Sequence, residues 1–339
     1  MAAVILQRQR QRRKRRNFKE RVVTIDHLTE QEVISRYRLD KASIAELEGL
    51  CREDLSPKTD RSCPLQSMTK VLIGLRFLAK GDFLSEVADL HGVSKATAAT
   101  VVDEFINSVN LRLRNIRFPT DRIELNEIKR KFYQKCRIPN IIGAVDGTLI
   151  PIQAPTEDEA AYVCRKNYHA LNVQAVCDPD ARFTDVVAMW PGSQHDAAIF
   201  NSCGLKNHLE LNDIGMLLGD SGYPLKKYLL TPKLNPSTPQ EVEFNKYHSR
   251  GRIVIEKAFG LLKSRFRCLH RTGGVLQFKP GKCSQVVLAC MRLHNLCVSR
   301  NVPEPPAIAA DDDNAPYTCI NNHGGVEDRH IRQAIINLF

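Results

Sequence analysis

The feature that most limits how this chain folds is the run IIGAVDGTLIP at residues 141–151, in which one carboxylate, Asp146, interrupts branched apolar residues. A short β-branched run bounded by turn residues reads as a buried strand. Burying an uncompensated carboxylate is expensive, so an acid in such a strand is paired, metal-bound or placed at the strand's end. The pattern recurs in IGMLLGDSGYP at residues 214–224, where Asp220 closes the apolar run. A third acid, Glu256, lies in the helix-like segment RGRIVIEKAFGLLKSRFRCL. Two strand acids and one helix acid make the layout of a metal-dependent nucleotidyl-transfer site.

Spacing refines the third acid. Ile255, Phe259, Leu262 and Phe266 share one helix face, which packs on a sheet. Arg252, Glu256, Gly260, Lys263 and Arg267 share the adjacent face. Glu256 then ligates metal while Lys263 and Arg267 hold nucleic-acid phosphates. Taken alone, Arg252 and Glu256 also fit a surface ion pair four residues apart, worth roughly a few tenths of a kcal/mol.

Three carboxylates suit Mg²⁺ or Mn²⁺, hard cations that take oxygen ligands and leave positions for water and phosphate. Two such ions about 3.5–4 Å apart stabilise both oxygens of an in-line displacement at phosphorus. Asp146 is the candidate bridge, with Asp220 and Glu256 each holding one ion. Asp196, in PGSQHDAAIF, is either a fourth oxygen donor or an acid favouring a helix N-terminus.

The rest of the chain supports this site. Residues 28–119 have helical periodicity, and FLSEVADLHGVSKATAATVVDEFINSV reads as helix, Gly-containing turn and helix. Ser85 is expected to cap the first helix and Ser94 a second running through Phe105. That second helix offers Ser94, Lys95, Thr97 and Thr100 to DNA; a plain helical hairpin fits the same pattern. Charged residues 121–137 read as a linking helix. Strands are expected over 172–176 and 184–190, joined by the polar turn 177–182, and a helix opened by Ser193 or Asp196 follows. Residues 231–240 read as a Pro-rich insertion before the Glu256 helix. The sum is an α/β chain: a basic tail (1–26), a helical, helix-turn-helix-like domain (27–135), a mixed-sheet core (136–300), and a C-terminal tail with a short helix (301–339).

Charge adds an address. Residues 1–21 contribute +8 of the net charge of +11. The acid-free run containing Arg12, Arg13, Lys14, Arg15 and Arg16 reads as a nuclear import signal or nucleic-acid arm; a transit peptide would be amphipathic and richer in Ser. No apolar run is long enough to span a membrane. Eleven Cys without a secretory signal read as reduced thiols. Cys290, His294 and Cys297 have zinc-compatible spacing, but continue an apolar stripe through Val286 and Leu293 and read as core.

The blocks VDGTLIPI, WPGSQHDAAIF, LLGDSGYP, and IEKAFGLLKSRFRCL followed by CSQVVLACMRLHNLC resemble the PIF/Harbinger DDE transposases, including their domesticated nuclease branch. The likeness runs in order from about residue 42 to 298. It implies an RNase H-like catalytic core, the catalytic triad Asp146, Asp220 and Glu256, and a role near metal for His195 and Asp196. It also implies a separate Myb-like DNA-binding protein as partner. Three functions follow: a metal-dependent DNA endonuclease, a catalytically silent DNA-binding scaffold, and an RNase H-like nuclease acting on RNA or hybrids. A helix-turn-helix favours DNA, because a major-groove helix suits B-form better than A-form duplexes.

Overall fold

The computed structural model describes residues 25–59, 64–81, 83–306 and 324–339. The arginine-rich run, with Arg12, Arg13, Lys14, Arg15 and Arg16, lies outside the described residues. The described chain opens with helices α1 (Glu30–Tyr37), α2 (Lys41–Leu55), α3 (Ser67–Lys80), α4 (Leu84–Leu90), α5 (Lys95–Arg112) and α6 (Arg122–Cys136). Side chains of Thr29, Asp40, Ser94 and Asp121 accept the free amides at the starts of α1, α2, α5 and α6. Ser85 does not cap α4, which already starts at Leu84 after Phe83. α5 continues past Phe105 to Arg112 because Ile106 and Val109 prolong its buried face. Gly74 of α3 admits the Phe105 ring, which a Cβ would meet at 2.1 Å.

The sheet comprises β1 (Ile141–Pro151), β2 (Ala170–Cys177), β3 (Phe183–Pro191), β4 (Met216–Leu218) and β5 (Leu229–Leu230). Its order is β3-β2-β1-β4-β5. β2 is antiparallel to both β1 and β3, whereas β4 runs parallel to β1 and β5 parallel to β4. α7 (Glu159–Tyr162) follows β1, α8 (Asp196–Ser202) and α9 (Gly204–Leu211) precede β4, and α10 (Pro239–Arg265), α11 (Pro280–Ser299) and α12 (Val326–Ile336) complete the described chain. The expected mixed sheet flanked by helices is therefore present.

Alternation along the strands sorts the two faces. Ala144, Ile150, Val173 and Ala175 join the cluster containing Ile255, Phe259 and Leu262 of α10 and much of α11. Val145, Val176 and Leu217 join Phe200, Leu205, Leu209 and Tyr223 on the other face. The first cluster also takes in Val33, Leu47, Leu75 and Phe105, so the N-terminal helices share a core with the sheet. α5 packs against α2, α3, α4 and α11, and α6 against β1 and α10.

α10 starts inside the segment read as a Pro-rich loop. Thr238 and Glu241 form a capping box, and Pro239 takes the first helical position, where its fixed φ fits and its missing N–H removes no bond. Cys290, His294 and Cys297 are fully buried. The Cys290 sulfur lies 3.9 Å from that of Cys268, and His294 Nε2 donates to the Ala181 carbonyl at 2.9 Å. Among the described residues no helix is long and apolar enough to cross a membrane.

Candidate active site

The parallel pairing of β1 with β4 ends where Ala144 meets Leu218. Asp146 and Asp220 each lie two residues beyond that pair, so Asp220 follows the carboxyl end of β4 and Asp146 stands beside it in β1, where the parallel pairing stops. Asp220 is fixed by its own turn, its Oδ1 accepting the Gly222 amide at 2.9 Å. Asp146 continues in β1, opposite Ala175 of β2.

Asp146 faces α10. Arg252 Nη2 donates to Asp146 Oδ2 at 2.7 Å, and Arg252 Nη1 lies 3.5 Å from Glu256 Oε1. The Arg252 and Asp146 side chains are 18% and 13% exposed, so the arginine makes an interior contact in addition to the ion pair with Glu256 that spacing allows. Burial raises the Asp146 carboxyl to about 7; Arg252 opposes the rise, while Asp220 and Asp196 add to it. Burial likewise works against the charge of Arg252, yet Asp146, Asp220 and Glu256 together raise its affinity for the proton. The three acids therefore act on one guanidinium, a cation already seated between two of them.

Asp196 lies under the opposite face. It opens α8 without a side-chain cap from His195, and its Oδ1 accepts the Asn172 amide at 2.8 Å. The same Asn172 nitrogen donates to the Gln194 carbonyl at 2.8 Å. The Asp196 carboxylate presses on Gly147, where a Cβ would come within 2.3 Å of Oδ1; that position requires glycine. Burial raises the Asp196 carboxyl, with Asn172 opposing and Asp220 adding. Tyr223 is fully buried, and its hydroxyl donates to Gln174 Oε1 at 3.3 Å. Burial holds that phenol well above its usual value, with the charges of Asp196, Asp146 and Asp220 adding to the effect.

The sequence brings Asp146, Asp220 and Glu256 together around Arg252 and sets Asp196 beyond β1. Among the described residues no three His, Cys, Asp or Glu side chains are arranged to hold one ion. The donor set nevertheless fits a hard divalent cation. It consists of carboxylate oxygens, and Asp146 and Glu256 already flank a positive charge.

The expected phosphate contacts divide. Lys95 begins α5 and is exposed, on the rim of a cavity of about 410 Å³ shared with Lys80, Phe83 and Phe278. Arg267 is half-buried and donates to Thr272 Oγ1 at 3.1 Å. Lys263 is buried, with its face turned into the protein. Sequence reasoning missed Arg252 as a member of the site, and with it Asn172, Gln174 and Tyr223. Asn172 and Gln174 left a signal: two amides at alternate positions of an otherwise apolar strand, on the face that meets Asp196.

Residues 145–295 match the family model described as DDE superfamily endonuclease. The chain is 35% identical over 281 residues to the human protein named Putative nuclease HARBI1, an alignment covering 82% of this chain and 80% of that one. Identity to the Xenopus laevis protein of the same name is 30% over 281 residues, with coverage of 82% and 81%. The Arabidopsis thaliana protein named Antagonist of Like Heterochromatin Protein 1 is 31% identical over 291 residues, covering 77% of this chain and 72% of its own. No solved structure matches the chain.

Proposed function

This chain belongs to the harbinger transposase-derived nucleases among the DDE superfamily endonucleases, and on that premise we propose that it is a metal-dependent DNA endonuclease hydrolysing phosphodiesters with Asp146, Asp220 and Glu256. The observation that carries the reading is the set of three acids acting on one partly buried cation. We read the sheet, with its order β3-β2-β1-β4-β5, as an RNase H-like core.

Two Mg²⁺ or Mn²⁺ ions would supply a polarised phosphate and an acidified attacking water at neutral pH. Asp146 would bridge them, and Asp220 and Glu256 would each hold one. The chain's own groups do the remaining work. Arg252 compensates the Asp146 charge and ties that carboxylate to Glu256 on α10. The Gly222 amide holds the Asp220 carboxylate in place. Asn172 orients Asp196 beneath Gly147 and so fixes the strand that carries Asp146. Lys95 and Arg267 are the proposed contacts to the DNA backbone, and α4–α5 is the proposed helix-turn-helix.

Cleavage of duplex DNA with Mg²⁺ or Mn²⁺ tests the reading. Asp146→Asn, Asp220→Asn and Glu256→Gln should each lower the rate about 100-fold or more, while the β3 control Asp185→Asn keeps it. Wild-type cleavage by any one of the three, in preparations free of other nucleases, removes that residue from the triad. One observation favours a second reading: Arg252 neutralises Asp146, as in a silent DNA-binding scaffold that works with a Myb-like protein. DNA left uncut with and without that partner, yet bound tightly, would select it. The proposed address is the nucleus, through Arg12, Arg13, Lys14, Arg15 and Arg16; a reporter carrying residues 1–21 that stays outside the nucleus rejects it.

A further inference from the structure

Four arginines gather where the N-terminal helices meet the end of α10. Arg38 follows α1 in a left-handed conformation, Arg76 lies on α3, Arg265 ends α10, and Arg267 opens the 3-10 turn beyond it. Arg265 is 2% exposed, and the other three are half-buried. Arg265 Nη1 donates to the Arg38 carbonyl at 3.4 Å, and the Cys297 thiol approaches that same oxygen at 3.8 Å. The Nε atoms of Arg38, Arg265 and Arg267 are all buried without a hydrogen-bond partner among the described residues.

No described carboxylate pairs with Arg38, Arg265 or Arg267; their hydrogen bonds go to a carbonyl and to a threonine hydroxyl. Burial, with Arg267, Arg265 and Arg76 as the surrounding charges, disfavours the charged form of Arg38. Like charges crowded at low dielectric are costly unless an anion compensates them. The planar fork of a guanidinium matches two oxygens of a phosphate, which a lysine does not.

We propose that this seam is a phosphoanion-binding site, in which Arg38, Arg265 and Arg267 hold a phosphate group between α1 and the end of α10, beside α3. The phosphate is either a phosphodiester of a bound strand or a free polyphosphate. The site joins the N-terminal helices to the helix that carries Glu256, so its ligand stiffens both. It rests in part on the nuclease reading, which already sets Arg267 against the DNA backbone, and requires no cleavage.

The test uses the full chain in EDTA, where divalent-dependent cleavage is absent. Sodium tripolyphosphate is compared with sodium chloride at equal ionic strength by thermal denaturation, and a labelled DNA duplex is titrated over a range of salt. Near a hundredfold excess over Kd, tripolyphosphate should raise Tm by about 3 °C or more. Arg38→Gln and Arg267→Gln, at half-buried positions, should fold and lose that rise. Arg265→Met should melt at or above wild type without anion and also lose it, because an uncompensated buried charge has gone.

A lost rise with unchanged DNA affinity identifies a free polyphosphate as the ligand. DNA affinity falling about tenfold, with the salt slope lower by about one per arginine, identifies the strand. The proposal is overturned if neither tripolyphosphate nor DNA distinguishes the variants from wild type. Loss of cleavage elsewhere would leave these outcomes untouched, so the two readings fail separately.

Discussion

Arg252 stands one helical turn before Glu256, yet its guanidinium reaches across to Asp146 at 2.7 Å in the sheet. Removing one partner of a buried pair costs about 3–5 kcal/mol, because the other charge stays behind. Arg252→Met should therefore lose stability on that order in EDTA, measured by denaturant unfolding. Adding Mn²⁺ should then stabilise this variant more than wild type, since the ion no longer competes with a guanidinium for Asp146. A variant that unfolds at the wild-type midpoint and answers Mn²⁺ as wild type does would show that Arg252 is not the counterion of the site. Spacing announced the Arg252–Glu256 neighbourhood but not the reach to Asp146, which depends on how α10 lies across β1. The acids themselves were legible because a lone carboxylate in a buried-type strand demands a reason.

At the scale of elements, β1 and α8 meet through a missing side chain. Asp196 can lie against β1 only because residue 147 has no Cβ. Gly147→Ala should cost about 1–3 kcal/mol by overpacking. Adding Asp196→Ala should return part of that cost, a coupling readable in a double-mutant cycle. Strict additivity of the two changes would mean that the contact carries no energy. Strands β1 to β4, the linking helix α6 and the apolar face of α10 were readable, since period and caps are local properties, whereas the two-residue β5 was not. The start of α10 was not, because Pro239 counts as a breaker until Thr238 and Glu241 are seen to cap it. Nor was the separation of Asp196 from Asp146. The strand on which Asp146 lies shows its alternation in sequence, but nothing local tells which face a later helix will cover.

For the whole molecule, three buried imidazoles tie stability to pH. Burial lowers His91, His248 and His294 from 6.5 to about 4. The unfolded chain therefore takes up these protons first. Their contribution is intact above about pH 6.5 and is lost as pH falls toward 4, on the order of 3 kcal/mol per ring at full effect. Asp146 has the opposite sign: raised to about 7, it binds a proton in the folded chain first and favours the fold as pH falls from there toward 4. Burial raises Asp178, Asp185 and Asp196 in the same direction as Asp146, so the histidine contribution is read by comparing a histidine variant with wild type as pH falls from about 7 toward 4. His91 has both ring nitrogens buried without a hydrogen-bond partner among the described residues, which makes Phe a fitting replacement. His91→Phe should remove roughly a third of the histidine-driven acid sensitivity. An unchanged pH profile would show that His91 is not held neutral.

The same shared core has a temporal side. Asn115 receives the Asn295 amide from 180 positions further on, and Asn110 donates to Gln285 across 175. At about 5–20 residues per second, a ribosome delivers α11 roughly ten to forty seconds after α5. Until then the nascent helices carry an apolar face with nothing to cover it, and cellular holdases are the natural custodians of that interval.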